Sequence, residues 1–547
     1  MSEFPLLSSI VFLPLVGAIL LYLFPGFGPR QDPESRAVRA FSMVVTLITF
    51  VLSLLLWGGF NPQNTGYQFV ENKIWLPSFG ITYHVGLDGI SLFLVLLTTF
   101  LMPIVVLASN SVEKKVRGYL ASMLVLQSAM LGTLVALDMF LFYIFWELML
   151  APMYFIIGVW GGKRRIYAAL KFVLYTVFGS VLMLVGIFYL VWAYYQQHGV
   201  VTFGLESLAR FNGLSVQEEV WLFAAFALAF CIKVPVFPFH TWLPDAHVEA
   251  PTGGSVVLAG VMLKMGLYGL IRLAYPLFPR AAELFTPYLA GLAVIGVVYG
   301  AMVAWAQKDI KKLVAYSSVS HLGYCVLGFV AFNTVSAAGS IYQMLNHGIS
   351  TGALFLLVGV LYDRRHTREI SEYGGLAARV PIFAFLFLVF TLSSIALPLT
   401  NGFIGEFLIL AGSFQELPGF TIVAVAGVVL GAVYMLTLYM KTMYGEIDEA
   451  KNGALTDVSM RELVTFAPLL ALVFIMGIYP KPFLNALEPT IKNYIRVVEE
   501  RRQMLKSSAP MRTRQVAEDQ AADEKISSVS DKSKTALDAL IVKRSKV

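Results

Sequence analysis

Six ionisable side chains lie inside long apolar stretches of the 547-residue sequence, where an isolated charge is costly. They are two acids, two lysines and two histidines: Glu147, Lys233, Lys264, His321, His347 and Glu406. Each of these types binds and releases protons, with an affinity that shifts with burial and with neighbouring charge. Such a series is what a route for protons through a membrane requires. We therefore interpret the six residues as a proton path.

Lys233 has the most informative surroundings. Pro235 and Pro238 follow it and interrupt an apolar helix, because proline removes backbone donors. Burial weakens the proton affinity of a lysine, and a nearby carboxylate restores it. Movement of Glu147 towards or away from Lys233 would therefore load or release a proton. The alternative for Lys233 is that its amine reaches the membrane surface. For Glu147 and Lys264 the alternative is a structural ion pair.

Other candidate residues have simpler interpretations. His321 and His347 could be hydrogen-bonded core residues. Three basic residues lie near the ends of apolar stretches, so the better interpretation is that their side chains reach the membrane surface: Lys171, Arg272 and Lys441. Four neighbouring residues are possible metal ligands, but their spacing fits no zinc pattern: His240, Asp245, His247 and Glu249. We therefore predict no metal site.

The composition indicates a polytopic membrane protein. The chain is 58% hydrophobic and 14% charged, against roughly 25% charged in soluble proteins. Its net charge of +6 does not indicate nucleic acid, because the basic residues cluster in short loops between apolar stretches. The two cysteines, Cys231 and Cys325, form no iron–sulfur motif, and no dinucleotide or ATP motif is present. We expect no cofactor in this chain, so another subunit or an ion gradient must drive transport.

Spans of about 20 apolar residues predict an all-α protein with about fourteen transmembrane helices. The predicted spans are 5–25, 37–58, 87–109, 116–136, 138–159, 166–193, 217–236, 252–275, 284–305, 312–332, 336–361, 380–412, 421–443 and 461–480. The span at 380–412 is interrupted at Pro398 and is a second broken helix. Lysine and arginine are concentrated after spans 1, 3, 5, 9 and 11, which predicts cytoplasmic odd-numbered loops and both termini outside.

Two inverted five-helix repeats are predicted, each with one broken helix. Ile232-Lys-Val-Pro-Val236 resembles Ile395-Ala-Leu-Pro-Leu399, and Asp138 and Asp309 open corresponding spans. Inverted repeats with interrupted helices are typical of ion-translocating proteins. The predicted divisions are a three-helix segment at 1–115, repeats at 116–275 and 276–445, a last span with an interfacial helix at 446–505, and a polar, disordered tail at 506–547.

The stretch from Lys233 to Thr252, with Phe145-Trp-Glu-Leu, Lys308-Asp-Ile-Lys-Lys and Asn346-His-Gly, resembles the antiporter-like membrane subunits of respiratory complex I and of Mrp-type cation/proton antiporters. An acid on the second broken helix, here Glu406, makes this sequence similar to the M-type chain of the family, the counterpart of mitochondrial subunit 4. The resemblance implies that Glu147 and Lys233 form a controlling pair and that Lys264 is a central relay. It also implies that His321 and His347 bridge the repeats, with Glu406 as the terminal group.

The function implied is a proton-translocating subunit of a proton-pumping NADH:quinone oxidoreductase in the cell inner (plasma) membrane. Flavin, iron–sulfur clusters and quinone are then expected in other subunits. The expected partners are other membrane subunits, especially neighbouring antiporter-like ones, together with the lipid bilayer and protons. Alternatives are a subunit of an Mrp-type Na⁺/H⁺ antiporter and the equivalent subunit of a hydrogenase or ferredoxin-driven complex. A purely structural scaffold is disfavoured by the six buried ionisable residues.

Overall fold

The protein is described by a computed structural model over residues 4–23 and 33–507. Its contacts divide the chain into one large unit, Met1–Arg496, and a second unit, Val497–Val547. Within the described ranges, twelve helical stretches are long and apolar enough to cross a membrane. The prediction of a helical polytopic membrane protein is therefore confirmed.

The first part of the chain contains four long helices and one short hairpin. The elements are α1 (Leu6–Leu23), α2 (Pro33–Gly59), β1 (Gln68–Leu76), β2 (Ile81–Leu87), α3 (Gly89–Ala108) and α4 (Val116–Val135). The two strands pair antiparallel, with Lys73 opposite Tyr83. Gly80 between them has a φ of 64°, which favours glycine. This hairpin was not predicted from the sequence, because two short strands give a weak periodic signal beside long apolar helices.

The middle of the chain contains the first broken helix and a helix with two π-helical turns. The elements are α5 (Met139–Leu148), α6 (Leu150–Trp160), α7 (Arg165–His198), α8 (Leu205–Ala209), α9 (Val216–Lys233), α10 (Trp242–Glu249), α11 (Thr252–Val257), α12 (Leu263–Gly269) and α13 (Tyr275–Leu277). The π-helical turns, Leu258–Met262 and Leu270–Ala274, join α11, α12 and α13 into one stretch. Such turns are rare and frequently mark functional sites.

The last part of the large unit contains the second broken helix. Its elements are α14 (Pro279–Trp305), α15 (Ile310–Val330), α16 (Thr334–Arg365), α17 (Leu376–Arg379), α18 (Pro381–Ser394), α19 (Asn401–Glu416), α20 (Pro418–Met443), α21 (Glu449–Asn452) and α22 (Met460–Ile478). Residues 481–496 are helical as well, and the Tyr494 hydroxyl donates to the Ile271 carbonyl over 2.7 Å. The predicted interfacial segment is thus helical, its interfacial position stays a prediction, and the predicted tail lies almost entirely outside the described residues.

Both predicted breaks are present. The first separates α9 from α10 at residues 234–241, and the second separates α18 from α19 at residues 395–400. Two predicted spans, 217–236 and 380–412, fall on these broken helices and are not among the twelve long stretches of the described ranges. The count of fourteen therefore stays a prediction.

Two aspartates begin α5 and α15 in the same way. Asp138 accepts from the backbone N–H groups of residues 140 and 141, and Asp309 from those of residues 311 and 312. Each aspartate also forms an isolated antiparallel bridge with a later loop, Asp138 with Gly204 and Asp309 with Glu369. Carboxylates satisfy the free N–H groups of a helix start. The two elements thus start with the same local architecture.

The centre of the bundle is formed by α3, α15, α16 and the stretch from α11 to α13, which are almost entirely buried. The outward faces of α7 and α20 instead present large apolar side chains such as Phe178, Trp192 and Val429. Lipid-facing surfaces are as apolar as interiors, so ionisable groups belong on the central helices. Lys264, His321 and His347 all lie on these central helices.

Candidate functional site

Lys264 and His347 are in direct contact at the centre of the bundle. The Lys264 amine lies 2.7 Å from His347 Nδ1 and also donates to the Ala259 carbonyl. The carbonyl of Ala259 belongs to the π-helical turn that precedes α12. A charged Lys264 only donates, so in that state His347 accepts at Nδ1 and has its own proton on Nε2. His347 Nε2 has no hydrogen-bond partner, which leaves that nitrogen available for transfer.

His321 and Glu406 form a second contact between two of the predicted residues. His321 Nδ1 lies 3.0 Å from Glu406 Oε1, and the Gln343 amide donates to the same oxygen over 3.0 Å. His321 Nε2 lies 3.3 Å from the Ser394 hydroxyl. The rings of His321 and His347 are adjacent, with centroids 5.9 Å apart. Four of the six predicted residues thus form one row: Lys264, His347, His321 and Glu406.

Lys233 is hydrogen-bonded neither to this row nor to Glu147, the remaining predicted residue. Lys233 Nζ is buried without a hydrogen-bond partner and stands 4.8 Å from the centre of the Trp146 ring. Glu147, the residue after Trp146, is half-buried, and its Oε1 is also without a partner. A buried ammonium held mainly by a cation–π contact is weakly stabilised. The controlling role of this pair stays a prediction.

Glu147 faces an open groove of about 480 Å³ on the side of the bundle. Its wall is mostly aromatic and aliphatic: Phe140, Tyr143, Ile144, Leu148, Leu184 and Phe188. Glu147 is half-buried where it lines this groove and its Oε1 is not exposed, whereas Lys264 and Glu406 are enclosed.

The four possible metal ligands have separate partners. Asp245 pairs with Lys171 at 2.7 Å, and Glu249 accepts from the backbone N–H of Arg164. His247 is stacked on Phe355, with ring centroids 4.6 Å apart. His240 is stacked on Phe237. No group of three or more potential ligands capable of holding a metal ion occurs in the described ranges.

The prediction that Arg272 reaches the membrane surface is wrong. Its side chain is 5% exposed and pairs with Asp88, with 2.7 Å between NH2 and Oδ1. Distance from a span end does not reveal a buried partner on another helix, so the sequence alone could not show this. Lys171 is partly buried in its pair with Asp245, and Lys441 is exposed as predicted.

A polar cluster beside Glu406 was missed by sequence reasoning. Asn346 donates to Gln343 Oε1 and to the Asn401 carbonyl, at 3.0 and 2.8 Å. Ser393 donates to Asn401 Oδ1 over 2.6 Å and contacts Ser350 at 2.5 Å. The available signal was the presence of amides and hydroxyls within otherwise apolar spans, because such groups require partners in a membrane.

A helical bundle with an apolar exterior, two broken helices and a buried row of lysine, histidine and glutamate defines a polytopic membrane protein of the ion-translocating class. The family model described as "NADH:quinone oxidoreductase/Mrp antiporter, TM" matches residues 136–431. The chain belongs to this family, and the resemblance predicted from the sequence is confirmed.

Relatives and a solved structure agree with this placement. NADH-quinone oxidoreductase subunit M of Rhodobacter capsulatus is 46% identical over 503 residues, which cover 90% of this chain and 96% of the relative. NADH-ubiquinone oxidoreductase chain 4 of Marchantia polymorpha is 40% identical over 491 residues, covering 89% and 97%. A chain of respiratory complex I from Thermus thermophilus with bound NADH has a TM-score of 0.80 and 33% identity, covering 90% of this chain and 99% of that chain.

Proposed function

We propose that this chain is the proton-translocating membrane subunit of an NADH:quinone oxidoreductase. The row of contacts from Lys264 through His347 and His321 to Glu406 is the observation that supports it best. The relatives named for NADH:quinone oxidoreductases match this chain over about nine-tenths of its length. Electron transfer takes place elsewhere in the complex, and this chain moves protons in response.

Proton transfer along the row uses the two nitrogens of each imidazole. Lys264 Nζ gives a proton to His347 Nδ1 across 2.7 Å, and His347 releases its other proton from Nε2. His321 takes a proton at Nε2 and passes one from Nδ1 to Glu406 Oε1 across 3.0 Å. The step between the two rings, with centroids 5.9 Å apart, requires a bridging water or a ring rotation.

Glu147 and Lys233 form the loading end of the path. Glu147 is half-buried beside the open groove, while Lys233 is enclosed and held against Trp146. An ion pair between them stabilises a charged Lys233, and its separation favours release of the proton to the row. Conformational change in the rest of the complex drives this opening and closing, since residues of this chain suggest no other energy source.

The location and the partners follow from this assignment. We place the chain in the cell inner (plasma) membrane with both termini outside, supported by the basic loops after odd-numbered spans. Flavin, iron–sulfur clusters and quinone are bound by other subunits. Labelling of a cysteine introduced at Lys163 by an impermeant reagent checks the orientation, because it should occur only in inside-out vesicles.

The test of the function is to replace Glu147 by Gln or Lys233 by Ala in the complete complex. Proton pumping driven by NADH should fall on the order of 10-fold, because each substitution removes a side chain that must gain and lose a proton. NADH oxidation should slow with it, because the two processes are coupled. Proton uptake by membrane vesicles and NADH absorbance are the measurements.

Lys163→Ala is the matched control, because this lysine is exposed in the loop between α6 and α7. It should leave pumping and NADH oxidation unchanged. Unchanged rates in both Glu147→Gln and Lys233→Ala, with the complex assembled, contradict the proposed function.

A subunit of an Mrp-type Na⁺/H⁺ antiporter is the second candidate, because the family model covers both kinds of protein. Sodium-dependent proton exchange in vesicles without NADH distinguishes the two. Such exchange favours the antiporter, and pumping that requires NADH favours the oxidoreductase.

A further inference from the structure

One buried cluster of charge has no part in the proposed path. Arg272 and Asp88 are each 5% exposed, and every guanidinium nitrogen of Arg272 has a partner. NH2 donates to Asp88 and to Ser91, Nε to the Tyr268 hydroxyl, and NH1 to the Tyr67 hydroxyl, at distances from 2.7 to 3.1 Å. A cluster satisfied this completely is rigid and holds its charges in place.

The pair is unsuited to carrying protons. An arginine stays charged in proteins, so Arg272 cannot pass a proton on. Asp88 is fixed as well, because its Oδ1 also accepts from the backbone N–H groups of Ile90 and Ser91 at the start of α3.

The position of the pair relates it to Lys264. Arg272 lies eight residues after Lys264 on the same helical stretch, or about 12 Å along it. Tyr268 lies between them, and its hydroxyl donates to the Leu134 carbonyl. Asp88 precedes α3 and Arg272 precedes the loop to α14, so both lie at the end away from the basic loops. The most direct way out from Lys264 along its own helix therefore meets the guanidinium of Arg272, held in place by its pair with Asp88.

We propose that the Arg272–Asp88 pair, with Tyr268, is an electrostatic barrier that closes this direct exit and directs protons from Lys264 to His347. A fixed guanidinium repels an approaching proton, as arginines do in selective pores. The carboxylate of Asp88 keeps the cation stable in the bundle without giving up its own charge. This inference rests on the proposed function, because it assigns Lys264 as the relay.

The experiment uses the complete complex in liposomes and measures two quantities. The first is passive proton leak down an imposed pH gradient without NADH, and the second is the proton yield with NADH. In the double variant Arg272→Met with Asp88→Asn, the leak should rise several-fold and the proton yield should fall. NADH oxidation should continue without further stimulation by an uncoupler. Asparagine keeps the cap of α3, because it accepts from backbone N–H groups as aspartate does.

Two controls separate a barrier from a structural ion pair. Arg272→Lys keeps the positive charge and should show a normal leak. Arg280→Met with Glu219→Gln removes another buried pair, whose atoms are 2.9 Å apart and which lies off the helical stretch of Lys264. This second double variant should lower thermal stability without a leak.

The outcomes are distinct. A normal leak in the assembled Arg272→Met, Asp88→Asn complex overturns the barrier, as does an equal leak in the Arg280→Met, Glu219→Gln complex. Addition of Lys264→Ala to the leaking variant should remove the leak, and persistence of the leak overturns the assigned route. Unaltered pumping in Lys264→Ala alone would instead contradict the proposed function, whatever the leak of the barrier variant.

Discussion

Three lysines in the described ranges are buried in the bundle, and their partners differ in kind. Lys311 donates to the Ala250 carbonyl over 2.6 Å, and Lys264 contacts His347. Lys233 has no hydrogen-bond partner and stands against the Trp146 ring, and the charge of Glu147 also acts on it. A cation–π contact is worth about 0.5–2 kcal/mol, less than the cost of burying an ammonium. Of these three lysines, Lys233 is the one whose amine has no hydrogen-bond partner, which fits its proposed role as a group that gains and loses a proton.

The prediction at the residue scale concerns Glu406. Glu406→Gln keeps an oxygen that accepts from His321 and Gln343 but removes the charge that receives a proton. Proton pumping should fall on the order of 10-fold while the complex assembles normally. Glu416→Gln is the matched control, because Glu416 ends the same helix and is exposed. Equal pumping in the two variants, measured in membrane vesicles, would show that Glu406 is not on the path.

The two broken helices share one local structure. In the first, the Val236 N–H donates to the Cys231 carbonyl, and in the second the Leu397 N–H donates to the Leu392 carbonyl. Both are bonds to the fifth preceding residue. This pattern pairs Val236 with Leu397, so the register differs by two residues from the one predicted from the proline motifs. Ser394, rather than Ala396, then corresponds to Lys233. At this position the second break has the hydroxyl of Ser394, which lies beside His321, and the first break has the amine of Lys233.

Each break is also approached closely by a glycine of a neighbouring helix. A Cβ at Gly266 would lie 2.6 Å from the Phe230 carbonyl oxygen and 2.8 Å from the Val234 nitrogen. A Cβ at Gly477 would meet the Leu399 carbonyl oxygen and the Thr400 carbonyl carbon at similarly short range. Backbone cannot move aside as a flexible side chain does, so these positions require glycine.

The prediction at the element scale follows from these contacts. Gly266→Ala and Gly477→Ala should each destabilise the protein by about 1–3 kcal/mol, because the added methyl forces backbone apart. Gly431→Ala is the control, since a Cβ at that position of α20 has no neighbouring atom within 4 Å. Thermal unfolding of the purified complex, followed by loss of this subunit, is the measurement. Equal stability of all three variants would contradict the close packing at the breaks.

At the scale of the whole molecule, the proposed path crosses several helices that are far apart in sequence. Lys264 lies on α12, His347 on α16, His321 on α15 and Glu406 on α19. The contacts of these helices bring the four side chains into one row. A proton must pass each of them in turn, so the path acts as a series and not as independent sites.

The prediction at this scale is non-additivity. If Lys264 and Glu406 act in one series, the double variant Lys264→Ala, Glu406→Gln should pump about as poorly as the worse single variant. Independent routes would instead give a double variant whose loss is the product of the two single losses. Initial rates of NADH-driven acidification in vesicles decide between these results. A multiplicative loss would exclude a single path through both residues.

The sequence by itself determined the membrane class, both breaks, the six ionisable residues within apolar stretches and the family. These depend on hydrophobic length, proline geometry and charges within apolar spans, all of which are local properties of the chain. The tertiary structure decided which of those charges meet. It joined Lys264 to Glu406 through two histidines, left Glu147 and Lys233 without a hydrogen bond between them, and paired Arg272 with Asp88 from another helix. Contacts between distant helices depend on how their faces pack, and helical periodicity in a bundle this apolar does not specify that packing.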